Sequence, residues 1–291
     1  MEFAPARGRD VGESTSLIDS PTLPIGFDAS ILEDLEQVEA THFWFVARRR
    51  LIAWAVNTYF LGHRRYLEIG SGTGDLLATV AECLPRADLM ASDVFEEGLE
   101  RVRVRVPRCR TSLHDARRLP WVEQFDLAGA YDVLEHIDQD AEALAGIARA
   151  LVPGGGLLLT VPQHPFLWSG HDEYLHHVRR YTWRAARALV ERAGFEVLRI
   201  TGFVALLFPA LIVSRLATGS RRLDRQGFRR SLCAGAATNA ACNAIMRLEQ
   251  STLRAGLNYP FGGSLLVVAK KKRLFRKSSG SIVSVNRAYP E

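Results

Sequence analysis

Three glycines at alternate positions, Gly70, Gly72 and Gly74, lie between an apolar run and a segment with helical spacing. This order predicts a turn that leads from a strand into a helix. Glycine lets the backbone turn sharply and lets a ligand approach where a side chain would collide with it. We therefore expect the loop from Leu67 to Asp75 to bind a cofactor.

The spacing of these glycines argues against two common phosphate-binding loops. A nicotinamide-dinucleotide loop has the pattern G-x-G-x-x-G, but its third glycine position is Asp75 when counted from Gly70 and Leu77 when counted from Gly72. The segment also lacks the lysine of a nucleoside-triphosphate loop. A nucleoside bound without its phosphates fits the loop better.

Acidic residues at the ends of successive predicted strands favour a cationic nucleoside as the ligand. Asp93 ends the second strand, where a carboxylate can accept hydrogen bonds from both ribose hydroxyls. Asp115 ends the third strand, predicted at 111–115, and can accept a hydrogen bond from an exocyclic adenine amine. Glu68 lies directly before the glycines and can hold an amino-acid ammonium group through water or backbone.

With these motifs, the chain resembles the class I S-adenosylmethionine-dependent methyltransferases, most closely the small-molecule subgroup of ubiquinone-biosynthesis type. The resemblance covers about residues 43–202 and is carried, in the expected order, by Glu68–Gly74, Asp93, His114–Asp115, Phe125–Ile137 and Leu151–Gly156. It implies that S-adenosyl-L-methionine is the cofactor. The residues it implies for cofactor binding are Glu68, Gly70, Gly72, Gly74, Asp93, Asp115 and Tyr131.

The elements that position these residues follow from the alternation of short apolar runs with helical stretches. Such alternation predicts an α/β fold, a doubly wound, mostly parallel sheet with helices on both faces. The resemblance implies seven strands in a Rossmann-like arrangement. Pro153 and the three glycines after it are expected to end a helix before an interior strand.

Composition and pattern changes divide the chain into six segments. We expect a mobile arm at 1–27, an N-terminal helical lid at 28–60, a cofactor-binding core at 61–204, a helical insert at 205–258, a last core strand at 259–270 and a basic tail at 271–291. The lid follows partly from the resemblance, which makes Phe43, Trp44 and Phe45 candidates for covering the cofactor.

The long loop after the fifth strand, which starts at Val161, is the main candidate for substrate-side chemistry. Ligands of open α/β sheets bind outside the carboxyl ends of the strands, and imidazole titrates near the working pH of a general base. The candidate catalytic residues are His164, His171, His176, His177 and Tyr181. The histidines could instead brace the loop. We expect no metal, because their spacing matches no closed zinc pattern.

Two arginine groups could bind a phosphate or carboxylate on the substrate. The candidates are Trp44 and Arg48 on the N-terminal helix and Arg179 and Arg180 before Tyr181. Solvated arginines beside a core aromatic stripe are the alternative interpretation.

Basic residues are concentrated in the last third of the chain. Residues 203–291 contain 15 of the 37 lysines and arginines but 3 of the 32 acidic residues. Such a segment favours an anionic partner: membrane headgroups, nucleic acid or a phosphorylated substrate. The apolar run Phe203–Val213 is too short to span a bilayer. We expect a cytoplasmic protein that makes reversible contact with an anionic membrane surface.

These observations predict an enzyme that methylates a small molecule, at oxygen or, as the second choice, at carbon. The apolar insert and basic tail favour a lipid-like or isoprenoid acceptor with an anionic group. The alternatives are an RNA methyltransferase or nucleic-acid binder, and a non-catalytic partner subunit that binds the cofactor. The basic residues lie outside the predicted sheet, without an aromatic stacking platform, which argues against nucleic acid.

Overall fold

Strands and helices alternate along the chain in the structure, a computed structural model that describes residues 30–218, 222–276 and 282–284. The helices are α1 (Ser30–Glu39), α2 (Phe43–Tyr59), α3 (Asp75–Cys83), α4 (Glu96–Arg105), α5 (Asp140–Ala150), α6 (Gly170–Tyr174), α7 (Trp183–Arg192), α8 (Phe208–Thr218), α9 (Arg225–Leu232) and α10 (Ala236–Arg254). The strands are β1 (Arg65–Ile69), β2 (Asp88–Asp93), β3 (Arg110–Leu113), β4 (Phe125–Tyr131), β5 (Leu151–Pro162), β6 (Phe195–Phe203), β7 (Ser264–Lys271), β8 (Leu274–Arg276) and β9 (Ile282–Ser284).

Seven of these strands form one sheet in the order β3-β2-β1-β4-β5-β7-β6. Strands β1 to β5 pair in parallel, and β7 runs antiparallel to both β5 and β6. The predicted doubly wound, mostly parallel sheet is therefore confirmed. Because the strand order reverses between β1 and β4, a crevice opens outside their carboxyl ends, where open α/β sheets bind ligands.

Both faces of the sheet are buried, which explains why its strands read as nearly continuous apolar runs. On one face, Leu67 and Leu159 belong to a core shared with helices α5 and α7. On the other face, Leu127 and Leu158 belong to a core shared with α2, α3 and α10. The helices thereby fix the strands that carry the site at their carboxyl ends.

The glycine run after Pro153 lies inside β5 and does not precede the strand. Leu151 already pairs with Phe125, and the pairing resumes with Gly156 opposite Leu127 after a shift of register. Gly154 has φ +85°, a conformation that favours glycine. Proline and glycine mark bulges as well as turns, so the expected end of a helix at this run was wrong: α5 ends before the strand begins.

Four further features differ from the sequence-based expectation. The predicted N-terminal helical segment is two helices, α1 and α2, and strand β3 ends at Leu113, two residues before Asp115. Strand β7 spans Ser264–Lys271 where a strand at 259–270 is expected, and two short paired strands, β8 and β9, follow within the segment expected to be a tail. The expected mobile arm at 1–27 and the rest of the tail lie outside the described residues.

Helices α8, α9 and α10 occupy the connection between β6 and β7, where the sequence predicts a helical insert. The buried Glu249 carboxylate accepts hydrogen bonds from the backbone N–H groups of Val204 and Leu206, both at 2.8 Å. The Gln250 side chain donates to the Ala47 carbonyl on α2 at 2.6 Å. Helix α10 thus joins the end of β6 to the N-terminal helices.

Glu249→Gln is expected to lower the free energy of unfolding by about 1–2 kcal/mol, because the amide keeps one acceptor and turns a donor toward the other N–H group. Denaturant unfolding measures the change. Glu100→Gln, at an exposed position in the middle of α4, is the matched control and should change stability by less than about 0.5 kcal/mol. Equal stability of the parent and both variants would contradict this account of the insert.

The apolar run Phe203–Val213 is divided between core and surface. Phe203, Val204 and Ala205 are buried at the end of β6, whereas Leu206 and Val213 are exposed. Among the described helices, none is both long and apolar enough to cross a membrane.

Candidate active site

A cavity of about 1530 Å³ lies at the carboxyl ends of β1, β2, β4 and β5. Residues of α1, α2, α6, α8 and α9 also line it, so the N-terminal helices and the insert both contribute to its walls. Pockets for one small molecule usually measure about 300–1,000 Å³. The cavity therefore has room for a cofactor and a second molecule.

Gly70 and Gly72 of the glycine loop line this cavity between β1 and α3, whereas Gly74 lies outside the lining and faces Val102 of α4. Gly70, Gly72 and Gly74 have φ of +65°, +50° and +75°, so all three adopt the left-handed conformation. A Cβ at Gly70 would lie 2.5 Å from Cγ2 of Val133. Glycine is therefore required at Gly70 by both backbone conformation and close packing.

Asp93 fixes the shape of this loop from the end of β2. One carboxylate oxygen accepts from the N–H of Gly72 at 2.8 Å, and the other accepts from the N–H of Phe95 at 3.0 Å. Burial raises the pKa of Asp93, and these backbone hydrogen bonds oppose the rise. Each carboxylate oxygen has a second lone pair for a further hydrogen bond, and Asp93 lines the cavity. Its contact with a ribose stays a prediction.

Glu68 and Tyr131 lie side by side at the base of the cavity. Tyr66 donates a hydrogen bond to Glu68 at 2.7 Å, and its oxygen lies 3.2 Å from the Tyr131 hydroxyl. Burial raises the pKa of Glu68 to about 8, although the hydrogen bond from Tyr66 lowers it. Arg48 also lowers this pKa and Asp75 raises it, so Glu68 is poised to ionise when a cation approaches.

Affinity for S-adenosylhomocysteine, which carries an ammonium group, should rise up to about tenfold between about pH 6.5 and 8.5, because the ionised Glu68 attracts that cation. Calorimetry across this range measures the rise, and Glu68→Gln should flatten it. A parent profile as flat as that of the variant would contradict this role.

The free energy of unfolding of the cofactor-free protein depends on pH in the opposite direction. The folded chain retains the Glu68 proton between about pH 4.5 and 8, so the contribution of Glu68 to stability falls as pH rises through that window.

Asp115 lies beyond β3, at the start of a short 3-10 helix. Its carboxylate accepts from the backbone N–H of Arg117 at 2.8 Å and forms an ion pair with the Arg117 guanidinium. Burial raises the pKa of Asp115, but these contacts with Arg117 lower it below the usual value overall. Asp115 lines the cavity as a carboxylate, and its contact with an adenine amine stays a prediction.

The other half of the cavity combines aromatic and cationic side chains. The Arg48 guanidinium lies 4.8 Å from the ring centroid of Trp44 and pairs with Asp132. Arg180 pairs with the buried Asp172 at 2.7 Å. All four of these polar side chains and Trp44 line the cavity, so Trp44, Arg48 and Arg180 lie where the sequence analysis expects substrate contacts.

Three residues expected at the site lie away from the cavity. Arg179 and the Tyr181 hydroxyl both donate to the Asp140 carboxylate at the start of α5, at 2.9 and 2.8 Å. These contacts fix the loop to that helix. His164 packs its ring against Phe166 and Phe208. None of the three belongs to the cavity lining, so their expected catalytic or substrate-binding roles have no support in the geometry.

The other candidate histidines, His171, His176 and His177, line the cavity. His171 binds Ser231 at 2.8 Å and the Arg215 guanidinium at 2.6 Å, and burial together with Arg215 lowers its pKa to about 4. His177 contacts the Asp172 carboxylate at 2.9 Å through Nδ1. Of the three, His177 has the carboxylate contact that orients a general base.

Sequence reasoning missed two groups of cavity residues. Arg215 and Phe228 come from the insert, and Phe228 stacks on Tyr174 of α6 with ring centroids 4.6 Å apart. Glu135 lies in the fourth-strand motif but faces the cavity beside His177, which is distant in sequence. Helix-to-loop packing of this kind leaves no local pattern in the sequence.

Comparison with known proteins matches residues 37–200 to the family model of the methyltransferase domain. A probable S-adenosylmethionine-dependent methyltransferase of Mycolicibacterium smegmatis is 30% identical over 162 residues, 54% of this chain and 60% of the relative. Demethylmenaquinone methyltransferase of Deinococcus radiodurans is 30% identical over 101 residues, 33% of this chain and 42% of the relative. The matched region thus spans about half the length of these relatives.

A solved structure shares the fold. Phosphoethanolamine N-methyltransferase 2 of Haemonchus contortus, with phosphomonomethylethanolamine and S-adenosylhomocysteine, has 16% identity and a TM-score of 0.55 over 84% of this chain and 57% of that chain. The family model covers more than half of the chain. The chain belongs to the methyltransferase-domain family, among the class I enzymes whose cofactor is S-adenosylmethionine.

Proposed function

We propose that this protein transfers the methyl group of S-adenosylmethionine to a hydroxyl oxygen of a small, partly apolar acceptor that carries an anionic group. One observation carries the proposal: the cavity continues from the glycine loop into a half lined by aromatic and cationic side chains. The half at the glycine loop, which we call the cofactor half, fits S-adenosylmethionine. The half lined by Trp44, Arg48, Arg180 and His177, which we call the acceptor half, fits an acceptor of mixed character.

Methyl transfer from a sulfonium asks little covalent chemistry of the protein. The acceptor oxygen attacks the methyl carbon in line, the carbon–sulfur bond breaks, and the electron pair stays on sulfur. The protein must align the two molecules and remove the hydroxyl proton. Asp172 orients the ring of His177. We assign to His177 the removal of this proton, or assistance in removing it.

The walls of the acceptor half indicate the chemical class of the acceptor. Trp44, Trp168, Leu211 and Phe228 supply apolar surface, which suits a lipid-like or isoprenoid body. Arg180 and Arg215 both lie near Asp172 and line this half of the cavity. Guanidinium groups bind carboxylate and phosphate well. The relative named for demethylmenaquinone supports an apolar acceptor.

Mass spectrometry of small molecules that copurify with the protein, followed by calorimetry with S-adenosylhomocysteine and with NAD, tests the cofactor half. Binding of S-adenosylhomocysteine and indifference to NAD are expected. NAD binding, or a folded protein that binds neither ligand, would contradict the proposal. A copurifying molecule with an apolar body and an anionic group would support the acceptor class proposed for the acceptor half.

Carbon is the second candidate for the methylated atom, because the aromatic walls would also hold a ring for attack through carbon. The product distinguishes the two: its fragmentation by mass spectrometry places the new methyl group on oxygen or on carbon.

Reversible membrane contact stays a prediction. Arg222 is 94% exposed in its side chain, and Lys272 and Arg273 are exposed after β7. Each such cation near an anionic bilayer contributes about 1 kcal/mol. We expect sedimentation with anionic vesicles that declines as salt rises and weakens in K272Q/R273Q/K277Q, but not with neutral vesicles. Equal indifference to both vesicle types would leave the basic residues as a solvated surface.

A further inference from the structure

We propose that Glu135, His136 and His177 form a binding site for a divalent first-row transition metal ion in the wall of the cavity. Each residue offers one ligand atom, and these atoms all lie within 4.8 Å of one another. All three residues line the cavity. Two imidazoles and one carboxylate are the ligand set of several catalytic zinc and non-haem iron sites, which keep positions open for substrate.

Glu135 is the first observation that points to a ligand. Its side chain is fully buried, and neither carboxylate oxygen has a hydrogen-bond partner among the described residues. The neighbouring acids differ: Asp132 pairs with Arg48, and Asp172 pairs with Arg180. A buried carboxyl group without a partner destabilises the fold unless something binds it. A cation between Glu135 and the two histidines would supply that partner.

The second observation is that His177 is oriented as metal ligands usually are. His177 contacts Asp172 through Nδ1 at 2.9 Å, which leaves Nε2 for a metal. Backbone carbonyl groups of His176 and Leu175 accept hydrogen bonds from the His136 ring. Metal-bound histidines almost always use their second nitrogen in this way, with a carboxylate or a backbone carbonyl. The ring centroids of His136 and His177 lie 4.7 Å apart.

Binding would draw the three ligand atoms together. Metal–ligand bonds of about 2.0–2.2 Å place two ligand atoms about 3.4 Å apart around a tetrahedral ion. The present separation of up to 4.8 Å closes through small side-chain rotations. His136 and Glu135 are adjacent in the short 3-10 helix after β4, so their backbones need not move apart.

If the proposed function holds, the ion would act on the acceptor. A cation lowers the pKa of a hydroxyl that it binds. With the ion bound, His177 would assist as a ligand and would not take the proton itself, so the proton leaves to solvent and the oxygen keeps its electron pair. That pair forms the bond to the methyl carbon while the carbon–sulfur bond breaks toward S-adenosylhomocysteine. No electron transfer is involved. An acceptor with two adjacent oxygens would occupy two open positions.

Titration of chelator-treated protein with Co²⁺, followed by visible absorption, and with Zn²⁺, followed by calorimetry, tests the site without cofactor or acceptor. We expect one equivalent of each ion to bind. Glu135→Gln, His136→Ala and His177→Ala should each weaken binding at least about 10-fold, and Asp172→Asn about 10- to 100-fold. His171→Ala is the matched control: it lines the same cavity outside the cluster and should bind as the parent does.

Calorimetry with S-adenosylhomocysteine on every variant separates the possible failures. A variant that loses metal but keeps this ligand has a folded cofactor site, and its result supports the assignment. Absence of stoichiometric binding in the parent, or equal binding by the parent and all three ligand variants, would overturn it. Because no methyl transfer is measured, a wrong acceptor class leaves this test unaffected.

Discussion

Asp93→Ala is expected to weaken binding of S-adenosylhomocysteine about 10- to 100-fold, or about 1.4–2.8 kcal/mol. The carboxylate holds Gly72 and Phe95 by their N–H groups and faces the cavity where the ribose of the cofactor would lie. The variant would therefore lose the contacts expected with the ribose and the fixed shape of the glycine loop. Isothermal calorimetry at constant pH measures the change.

Two further variants make this result specific. Asp88→Ala removes an acid from the opposite end of the same strand, outside the cavity, and should leave affinity unchanged. Asp93→Asn keeps one acceptor and should fall between the parent and Asp93→Ala. Parent-like affinity in Asp93→Ala would show that the ribose contact is made elsewhere.

His177→Gln should lower kcat about 100-fold or more on an identified acceptor, with affinity for S-adenosylhomocysteine unchanged. Its ring lies in the acceptor half of the cavity and is oriented by Asp172, which Arg180 holds in turn. Loss of a group that removes or assists removal of a proton typically costs about 10²- to 10⁴-fold in rate. Turnover at saturating cofactor measures the effect.

His164→Gln is the comparison within the same loop. Its ring packs against Phe166 and Phe208 outside the cavity, so the loss of turnover should be much smaller. A near-normal rate in His177→Gln would contradict the assignment of His177. In that case a carbon acceptor held by aromatic contacts would become the leading candidate.

Local spacing explains how much of the cofactor half could be predicted from the sequence. The glycines and Asp93 lie at strand ends, and parallel strands bring their carboxyl ends together at one edge. The structure accordingly brings Glu68, Gly72 and Asp93 into one cavity. The sheet itself could also be predicted, because strands that are buried on both faces appear in the sequence as short apolar runs between helical stretches.

The acceptor half could not be predicted in this way. Arg179 and Tyr181 looked as suitable as Arg180, but packing turned them toward Asp140 and away from the cavity. Glu135 and His177 meet because the loop after β5 folds back over the end of β4, where the N–H of Val178 donates to the Glu135 carbonyl at 2.7 Å. Arg215 arrives from the insert. Such contacts depend on tertiary packing, which leaves no periodic signal.

The most direct test of the central claim is methyl transfer itself. Purified protein is incubated with S-adenosylmethionine labelled in its methyl group and a panel of phenols and catechols with and without isoprenoid chains and anionic groups, and products are identified by mass spectrometry. We predict labelled acceptor and S-adenosylhomocysteine in equal amounts, fastest for acceptors with both an apolar chain and an anionic group, and reduced by Asp93→Ala. Binding of S-adenosylmethionine with no labelled small molecule, or label found in RNA instead, would contradict the account.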